Sequence, residues 1–203
     1  MKGTVIGHVF LWLVVIPLLS MAIVPLFHVH GQPAVSPREV TSFANQGIDV
    51  DQAQAVATAS FTHRFIDSGL ISRSYAWIAP SRSPRALDQT RLRVTTWVEG
   101  AWSAVYRAQF RYSAYGKSLS VFVLIGLIAA IVDGLGVRAR KRFEFGYQNP
   151  VTFSLARHAP ILLLGAFLVG PFWPFALTPE WLMGGFAFMA FVTWIAAANF
   201  QAG

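Results

Sequence analysis

Four long apolar stretches constrain what this chain can fold into. Three of them, Thr4–Phe27, Ala159–Leu177 and Trp181–Phe200, contain no Asp, Glu, Lys or Arg. The fourth, Ser118–Val137, contains a single charged residue, Asp133. A helix that crosses a bilayer needs about 20 mostly apolar residues, and each stretch is close to that length. The sequence therefore predicts four transmembrane helices.

Composition supports a membrane protein and excludes several other classes. Hydrophobic residues make up 55% of the 203 residues and charged residues 12%, whereas soluble domains average about 25% charged residues. A protein core of this size cannot bury so much apolar surface, because burial is limited by surface-to-volume scaling. The absence of cysteine excludes disulfides, thiol catalysis and cysteine metal sites.

The predicted fold class is all-α: a polytopic membrane protein with four transmembrane helices and a helical extramembrane segment between spans 1 and 2. Residues 1–27 are the N-terminal anchor, residues 28–117 the external, periplasmic segment, and residues 118–203 a three-helix membrane region with a basic cytoplasmic loop at 138–158. We expect the first span to be an uncleaved anchor, because its apolar region is longer than the 7–15 residues of a signal-peptide core.

Basic residues after the second span set the predicted orientation. Positively charged short loops stay on the cytoplasmic side. The loop between spans 2 and 3 contains one acidic residue, Glu144, and five basic residues: Arg138, Arg140, Lys141, Arg142 and Arg157. Both termini are then cytoplasmic. The net charge is +7. We expect many of the basic residues to set the membrane topology and to attract anionic lipid, and we expect no direct binding of nucleic acid.

The external segment has the pattern of helices. Ser36 and Glu39 form a potential capping box around Pro37, and Gly47 is a suitable stop. A second helix is predicted from Asp49 to Gly69, followed by a loop from Ile71 to Pro84.

The predicted third external helix, Arg85–Tyr115, is amphipathic and runs into span 2. It either lies in the lipid headgroup region at the membrane surface or is a packed helix of a small external domain. In span 3, the run Gly170–Phe175 contains two prolines and is expected to kink or unwind the helix near its outer end.

Asp133 is the most informative single residue. A carboxylate inside a span normally faces protein or water and has a partner. One interpretation is a proton or ion relay. The other, which we favour, is structural pairing with Arg138 or Arg140 at the cytoplasmic boundary, because Asp133 lies near the end of its span.

Other chemistry has little support in the sequence. A membrane haem needs two facing histidines, and only His8 and His158 lie at suitable positions. His28 and His30 share one face of an extended chain, but no nearby carboxylate or cysteine completes a metal site. There is no G-x-S-x-G, H-E-x-x-H or P-loop motif. We therefore predict that the protein is not an enzyme and has no cofactor and no bound metal.

One region carries a family resemblance. The stretch Ile131–Phe143 ends a span with Val-Asp-Gly-Leu and continues into a basic run. It is followed by Phe145–Pro150 and Leu155–Ala159. This pattern resembles a family of integral membrane proteins of unknown function encoded by integrating conjugative elements and conjugative plasmids. The resemblance implies a four-span protein of the bacterial inner membrane, associated with a type IV secretion-like DNA-transfer apparatus, and no catalytic residues.

Three functions remain open from the sequence. The first is a non-enzymatic inner-membrane scaffold or assembly component of a conjugative transfer system, with the lipid bilayer and other membrane or periplasmic proteins as partners. The second is a small transporter-like bundle using Asp133, and the third a haem or metal redox protein. The residues assigned structural or topological roles are Asp133, Gly134, Arg138, Arg140, Lys141, Arg142 and His158.

Overall fold

A computed structural model describes residues 7, 9–78, 88–143, 158, 161 and 164–199 of the chain. Its α-helices are α1 (Ile16–Ile23), α2 (Pro37–Asn45), α3 (Val50–Phe61), α4 (Leu70–Ile78), α5 (Asp88–Phe143) and α6 (Pro179–Ala198). Residues 164–169 are also helical. No strand occurs among these described residues, which confirms the all-helical prediction for this part of the chain.

Short turns of other helix types extend several of these elements. A π-helical turn, Leu11–Val15, precedes α1, and a 3-10 turn, Val24–Phe27, follows it. A second π-helical turn, Thr62–Ile66, prolongs α3. Together, Leu11–Phe27 is a continuous apolar helical stretch, and residues 50–66 correspond to the second predicted external helix.

The start of α2 differs from the capping box expected from the sequence. Ser36 lies at the N-cap position with Pro37 next to it, but the Ser36 side chain makes no capping hydrogen bond. Glu39 is fully buried and bonds elsewhere. The predicted stop is confirmed: α2 ends at Asn45, and Gly47 takes a φ of 77°, a left-handed conformation that costs glycine little.

The predicted loop between Ile71 and Pro84 is partly wrong. Residues 70–78 form helix α4, preceded by Gly69 with a φ of 72°. The sequence suggested a loop because serine and arginine are frequent there, yet Leu70, Ile71 and Tyr75 recur at helical spacing. Residues 79–87 lie outside the described part.

Helix α5 is 56 residues long. It includes the predicted amphipathic helix and the apolar stretch Ser118–Val137 without interruption, so the prediction that the former runs into the latter is confirmed. The helix continues to Phe143. The basic run that was assigned to the loop at 138–158 therefore begins on the last turns of α5, and residues 144–157 lie outside the described part.

The predicted interruption of the third apolar stretch is also confirmed. The helix at residues 164–169 passes into a 3-10 turn, Gly170–Phe172, and residues 173–178 are not helical. Pro171 and Pro174 lack backbone donors, so this segment leaves several carbonyl groups without helical partners.

Of the described residues, one helix, α6, is by itself long and apolar enough to cross a membrane, with a mean hydropathy of 1.7. Leu11–Phe27 is apolar but shorter. Residues 159, 160, 162 and 163 of the third predicted span lie outside the described residues. The described structure therefore does not support four spans directly.

The chain divides into two compact units. The first comprises Met1–Pro17, Lys117–Leu168 and Pro179–Gly203. In it, Phe167 packs edge-on against Phe186 with ring centroids 5.4 Å apart, and Gly134 of α5 packs closely against α6.

The second unit comprises Leu18–Gly116 and Val169–Thr178. Its core forms where α2 and α3 pack on the first half of α5. Phe43 is fully buried and contacts Phe110 and Tyr115, with ring centroids 6.2 and 5.6 Å away. At the end of α3, Phe61 and Phe65 pack on Trp102. Aromatic pairs of this kind contribute beyond their buried area.

Candidate functional site

Asp133, the most informative residue of the sequence, has a defined partner in the first unit. The indole Nε1 of Trp194 on α6 donates to its Oδ2 at 2.7 Å. This bond ties α5 to α6 and favours a structural role. Pairing with Arg138 or Arg140 stays a prediction.

Gly134, next to Asp133, lies where the two helices come closest. A Cβ atom at this position would be 2.7 Å from the Ala197 Cβ and 2.8 Å from the Trp194 carbonyl oxygen. Contacts below 3.0 Å are sterically unacceptable, so a residue larger than glycine would push the helices apart. Small residues permit this kind of close helix packing.

The basic residues lie near the end of α5. Lys141 donates from Nζ to Oδ1 of Asn199 at 3.2 Å. Arg138 is half-buried and Arg140 exposed, while the side chain of Arg142 lies outside the described set. His158 is half-buried in a helical position. The contacts that the structure describes join Asp133 and Gly134 to α6, and Lys141 to Asn199, the residue that follows α6.

The second unit contains a buried ion pair that sequence reasoning missed. The guanidinium of Arg111 on α5 donates from Nε to Oε1 of Glu39 at 2.6 Å, and from Nη2 to Oε2 at 2.7 Å. Both side chains are completely buried. Such a two-pronged arrangement matches the planar fork of arginine to a carboxylate.

Arg111 also binds the 3-10 turn Gly170–Phe172 and the irregular segment that follows it. Its Nη1 donates to the carbonyl oxygens of Pro171 and Trp173 at 2.9 Å and of Gly170 at 3.2 Å. Its Nη2 donates to the Phe175 oxygen at 2.6 Å. The end of a helix leaves such carbonyl groups unpaired. Arg111 donates the hydrogen bonds that the backbone N–H groups of a further helical turn would have donated.

Arg107, one helical turn earlier, completes the cluster. Its Nε donates to the Ala34 oxygen at 2.6 Å, and its Nη1 to the oxygens of Phe172 and Trp173 at 3.2 and 3.1 Å. Burial, together with the nearby charge of Arg111, lowers the pKa of Arg107 to about 10, and Glu39 opposes this shift. The side chain thus stays cationic at neutral pH.

The cluster of Glu39, Arg107 and Arg111 holds two cations against one carboxylate, with carbonyl dipoles supplying the remaining compensation. Glu39 additionally accepts from the Leu177 backbone N–H at 3.3 Å. The three side chains thereby fasten residues 170–177 to α2 and α5. All three nitrogens of the Arg111 guanidinium and both carboxylate oxygens of Glu39 take part in these bonds, so the arrangement is that of a structural clamp.

A signal for the cluster was present in the sequence. Arg107 and Arg111 occupy positions four apart on the same helix face as Ala104, Ala108 and Tyr115, which are all buried. Cations on an apolar helix face indicate buried pairing. The partner, Glu39, is 72 residues away and could not be identified from spacing.

The histidines form no metal site in the described residues. His30 pairs through Nδ1 with Oε2 of Glu99 at 2.8 Å, so the fold supplies a carboxylate that the local sequence lacks. Nevertheless, no group of three or more His, Cys, Asp or Glu side chains in the described part is placed to hold a metal ion. His8 lies outside the described residues.

Comparison with known proteins identifies the family. No curated protein and no solved structure matches the chain. A family model, described as IncC plasmid conjugative DNA transfer protein DtrJ-like, matches residues 27–201, which is most of the chain. The association with conjugative elements inferred from Ile131–Ala159 is thereby confirmed. The chain belongs to the DtrJ-like family of conjugative DNA transfer proteins.

Proposed function

We propose that this protein is a non-enzymatic, membrane-embedded component of a conjugative DNA-transfer apparatus, with a scaffold or assembly role. It has four transmembrane spans in the bacterial inner membrane, both termini in the cytoplasm and residues 28–117 in the periplasm. Family membership supports the role in conjugative transfer. The membrane placement rests on the surface chemistry of the first unit and on the charge distribution along the sequence.

The observation that carries the membrane placement is the apolar surface of α5 beyond Gly116. Large apolar side chains there are between 53% and 64% exposed; they are Val121, Leu124, Ile125, Ile128 and Val132. Water-soluble proteins rarely expose contiguous apolar surface of this kind. Lipid removes the penalty because the solvent itself is apolar.

The other apolar segments have the same character. In α6, Trp181, Met183, Phe188 and Phe191 are more than half exposed, and only 17% of its apolar window is buried. In α1, Leu18 and Leu19 are 63% and 51% exposed. The backbone N–H and C=O groups of a helix bond to one another, which the interior of a bilayer requires because it offers no water.

The second unit supports a scaffold role rather than catalysis. Its fully buried polar side chains are Glu39 and Arg111, and both are engaged in fixing a segment of backbone. A folded module with large exposed side chains, such as Trp77 at 91% exposure, is suited to binding other proteins of the apparatus.

The membrane placement is tested by extraction and by labelling. Because the chain has no cysteine, single substitutions report topology directly. We expect the protein to resist alkaline carbonate extraction from vesicles. In intact spheroplasts, Gln52→Cys reacts with an impermeant maleimide, whereas Ala139→Cys reacts only after permeabilisation. Release by carbonate, or the reverse labelling pattern, would refute the placement or the orientation respectively.

The scaffold role is tested in the host element. Deletion of the gene abolishes transfer, and co-purification from detergent-solubilised native membranes recovers other transfer proteins at fixed stoichiometry. Substitution of the exposed Trp77 by Ala leaves the fold intact but weakens that recovery. A deletion strain that transfers at the wild-type frequency would exclude an essential role.

A further inference from the structure

The second unit also contains a cavity whose lining includes none of the side chains of Glu39, Arg107 and Arg111. Its volume is about 390 Å³ and it is open to solvent. It lies between the segment that follows α1, the end of α3, the helix α4 and the first half of α5. Its described lining includes Phe61, Ile71, Tyr75, Glu99, Trp102 and Tyr106.

The chemistry of this lining is aromatic with one negative charge. The lining includes the aromatic side chains of Phe61, Tyr75, Trp102 and Tyr106, the carboxylate of Glu99 and the imidazoles of His28 and His30; no lysine or arginine is among the described lining residues. The Glu99 side chain is 27% exposed, so a ligand can reach it. Aromatic faces and a carboxylate attract the same partner, an organic cation.

The aromatic side chains that line the cavity are held by contacts with one another and by hydrogen bonds. Phe61 meets Tyr106 and Trp102 edge-on, at centroid distances of 5.5 and 6.2 Å. Trp102 donates from Nε1 to the Ser74 hydroxyl at 3.0 Å, and the hydroxyls of Thr58 and Tyr106 are 2.9 Å apart. The cavity is therefore preformed, which lowers the entropic cost of binding.

Glu99 acts electrostatically on the cavity. Burial, and secondarily the charge of Glu99, raise the pKa of Tyr75. The present partner of Glu99 is His30, whose side chain is 80% exposed. An exposed contact of this type contributes little to stability, so a ligand cation can replace the imidazole.

We propose that this cavity receives an arginine side chain of a partner protein. A guanidinium stacks on aromatic faces and bonds a carboxylate through two parallel donors. Its aliphatic stem is matched by the apolar part of the lining, including Ile71 and Phe61. The inference goes beyond the scaffold proposal by naming what the second unit recognises, and it does not depend on the membrane placement.

The test measures binding of small probes to the full-length protein in a zwitterionic detergent by ligand-observed NMR. The probes are N-acetyl-Gly-Arg-Gly-amide, its citrulline counterpart, which has the same shape without the charge, and spermidine. We expect saturable binding of the arginine peptide, at least about tenfold weaker binding of the citrulline peptide, and weaker binding of spermidine.

Variants assign the binding to the cavity. Glu99→Gln keeps the shape of the side chain and removes its charge, and we expect it to lower the affinity for the arginine peptide by about tenfold. His30→Ala removes the competing imidazole and is expected to leave binding unchanged or tighter. The matched control is Asp51→Asn, because Asp51 is exposed on α3 and does not line the cavity. Circular dichroism confirms that each variant is folded.

Three outcomes overturn the proposal. Equal binding of arginine and citrulline peptides would make the cavity an apolar site. Tighter binding of spermidine than of the peptide would identify a free polyamine as the ligand. Binding that Glu99→Gln leaves unchanged in a folded variant would place the peptide elsewhere on the protein. Failure of the scaffold proposal in the transfer assay would leave these binding measurements unaffected, so the two ideas fail separately.

Discussion

The guanidinium of Arg111 and the carboxylate of Glu39 form a two-pronged ion pair, at 2.6 and 2.7 Å, in which both side chains are fully buried. A buried pair offers little net stabilisation over apolar residues of similar volume, but loss of one partner leaves an uncompensated charge inside the protein. The pair therefore makes the segment from Gly170 to Leu177 sensitive to changes at either residue.

Glu39→Gln is expected to destabilise the protein by about 3–5 kcal/mol, since Arg111 and Arg107 then remain buried without a carboxylate. The measurement is denaturant unfolding of the purified protein in detergent. Arg38→Gln, at the neighbouring exposed position, is the control and should change stability by less than about 0.5 kcal/mol. Similar losses for both variants would contradict the clamp.

Arg111→Met combined with Glu39→Leu tests the same pair by a double-mutant cycle. Arg111→Met leaves Glu39 without its two-pronged partner, and Glu39→Leu leaves Arg111 without its carboxylate. The double change removes both members of the pair and keeps Arg107. We therefore expect the double variant to be more stable than the sum of the single effects predicts, by about 0.5–3 kcal/mol. Strict additivity would show that the two side chains do not depend on each other.

Gly134→Ala tests the close approach of α5 and α6. The added methyl group meets Ala197 and the Trp194 backbone, and overpacking of this kind costs about 1–3 kcal/mol. Gly136→Ala is the matched control, because nothing lies within 4 Å of a Cβ at that position. The control should be neutral or slightly stabilising, since alanine favours helix over glycine. Thermal melting in detergent gives both values, and equal melting temperatures would argue against the packing.

Asp133→Asn distinguishes a structural aspartate from a proton or ion relay. The amide oxygen of asparagine still accepts the Trp194 hydrogen bond, so helix packing should persist while the titratable group is lost. We expect the transfer frequency to stay within about twofold of the wild type, and Asp133→Leu to reduce stability by about 1–3 kcal/mol through the unpaired indole. A large loss of transfer in a normally folded Asp133→Asn variant would favour the transporter-like alternative.

Tyr115 gives a prediction for high pH. Burial, as the main cause, raises the pKa of the phenol. A group with a raised folded-state pKa binds its proton more tightly when folded, so its contribution is fully present below pH 10 and is lost as the pH rises above that value. Tyr115→Phe cannot ionise, so its melting temperature should fall less steeply than that of the wild type above pH 10. Parallel curves would show that Tyr115 is not responsible for the alkaline loss.

The sequence was most informative where local chemistry decides the structure. The stop at Gly47 and the interruption at Gly170–Phe175 follow from backbone requirements of single residues, and the structure has both. The run from the amphipathic helix into the apolar stretch was also predicted from periodicity and is confirmed in α5. The resemblance in Ile131–Ala159 pointed to conjugative elements, as the family match shows.

The sequence was misleading where tertiary contacts override the structure that the neighbouring residues favour. Glu39 has the position of a capping-box residue, but burial against Arg111 gives its carboxylate a charged partner that outweighs a backbone N–H. Residues 70–78 have loop-like composition, yet form α4, whose Ser74 accepts a hydrogen bond from Trp102. The partner of Glu39 is not encoded within a few residues of it, whereas the helical spacing of Leu70, Ile71 and Tyr75 is a local signal that the composition of the segment obscures.

By itself, the sequence determined the helical character of the chain, the ends of several helices and the family, because these depend on residue type and on spacing along one element. Only the tertiary structure decided that Arg111 pairs with Glu39, that Trp194 bonds Asp133, and that Glu99 reaches an aromatic cavity. Arg111 and Glu39 are 72 positions apart, and Trp194 and Asp133 are 61. The physical reason is general: which distant groups meet is set by how whole helices pack, and not by propensities along the chain.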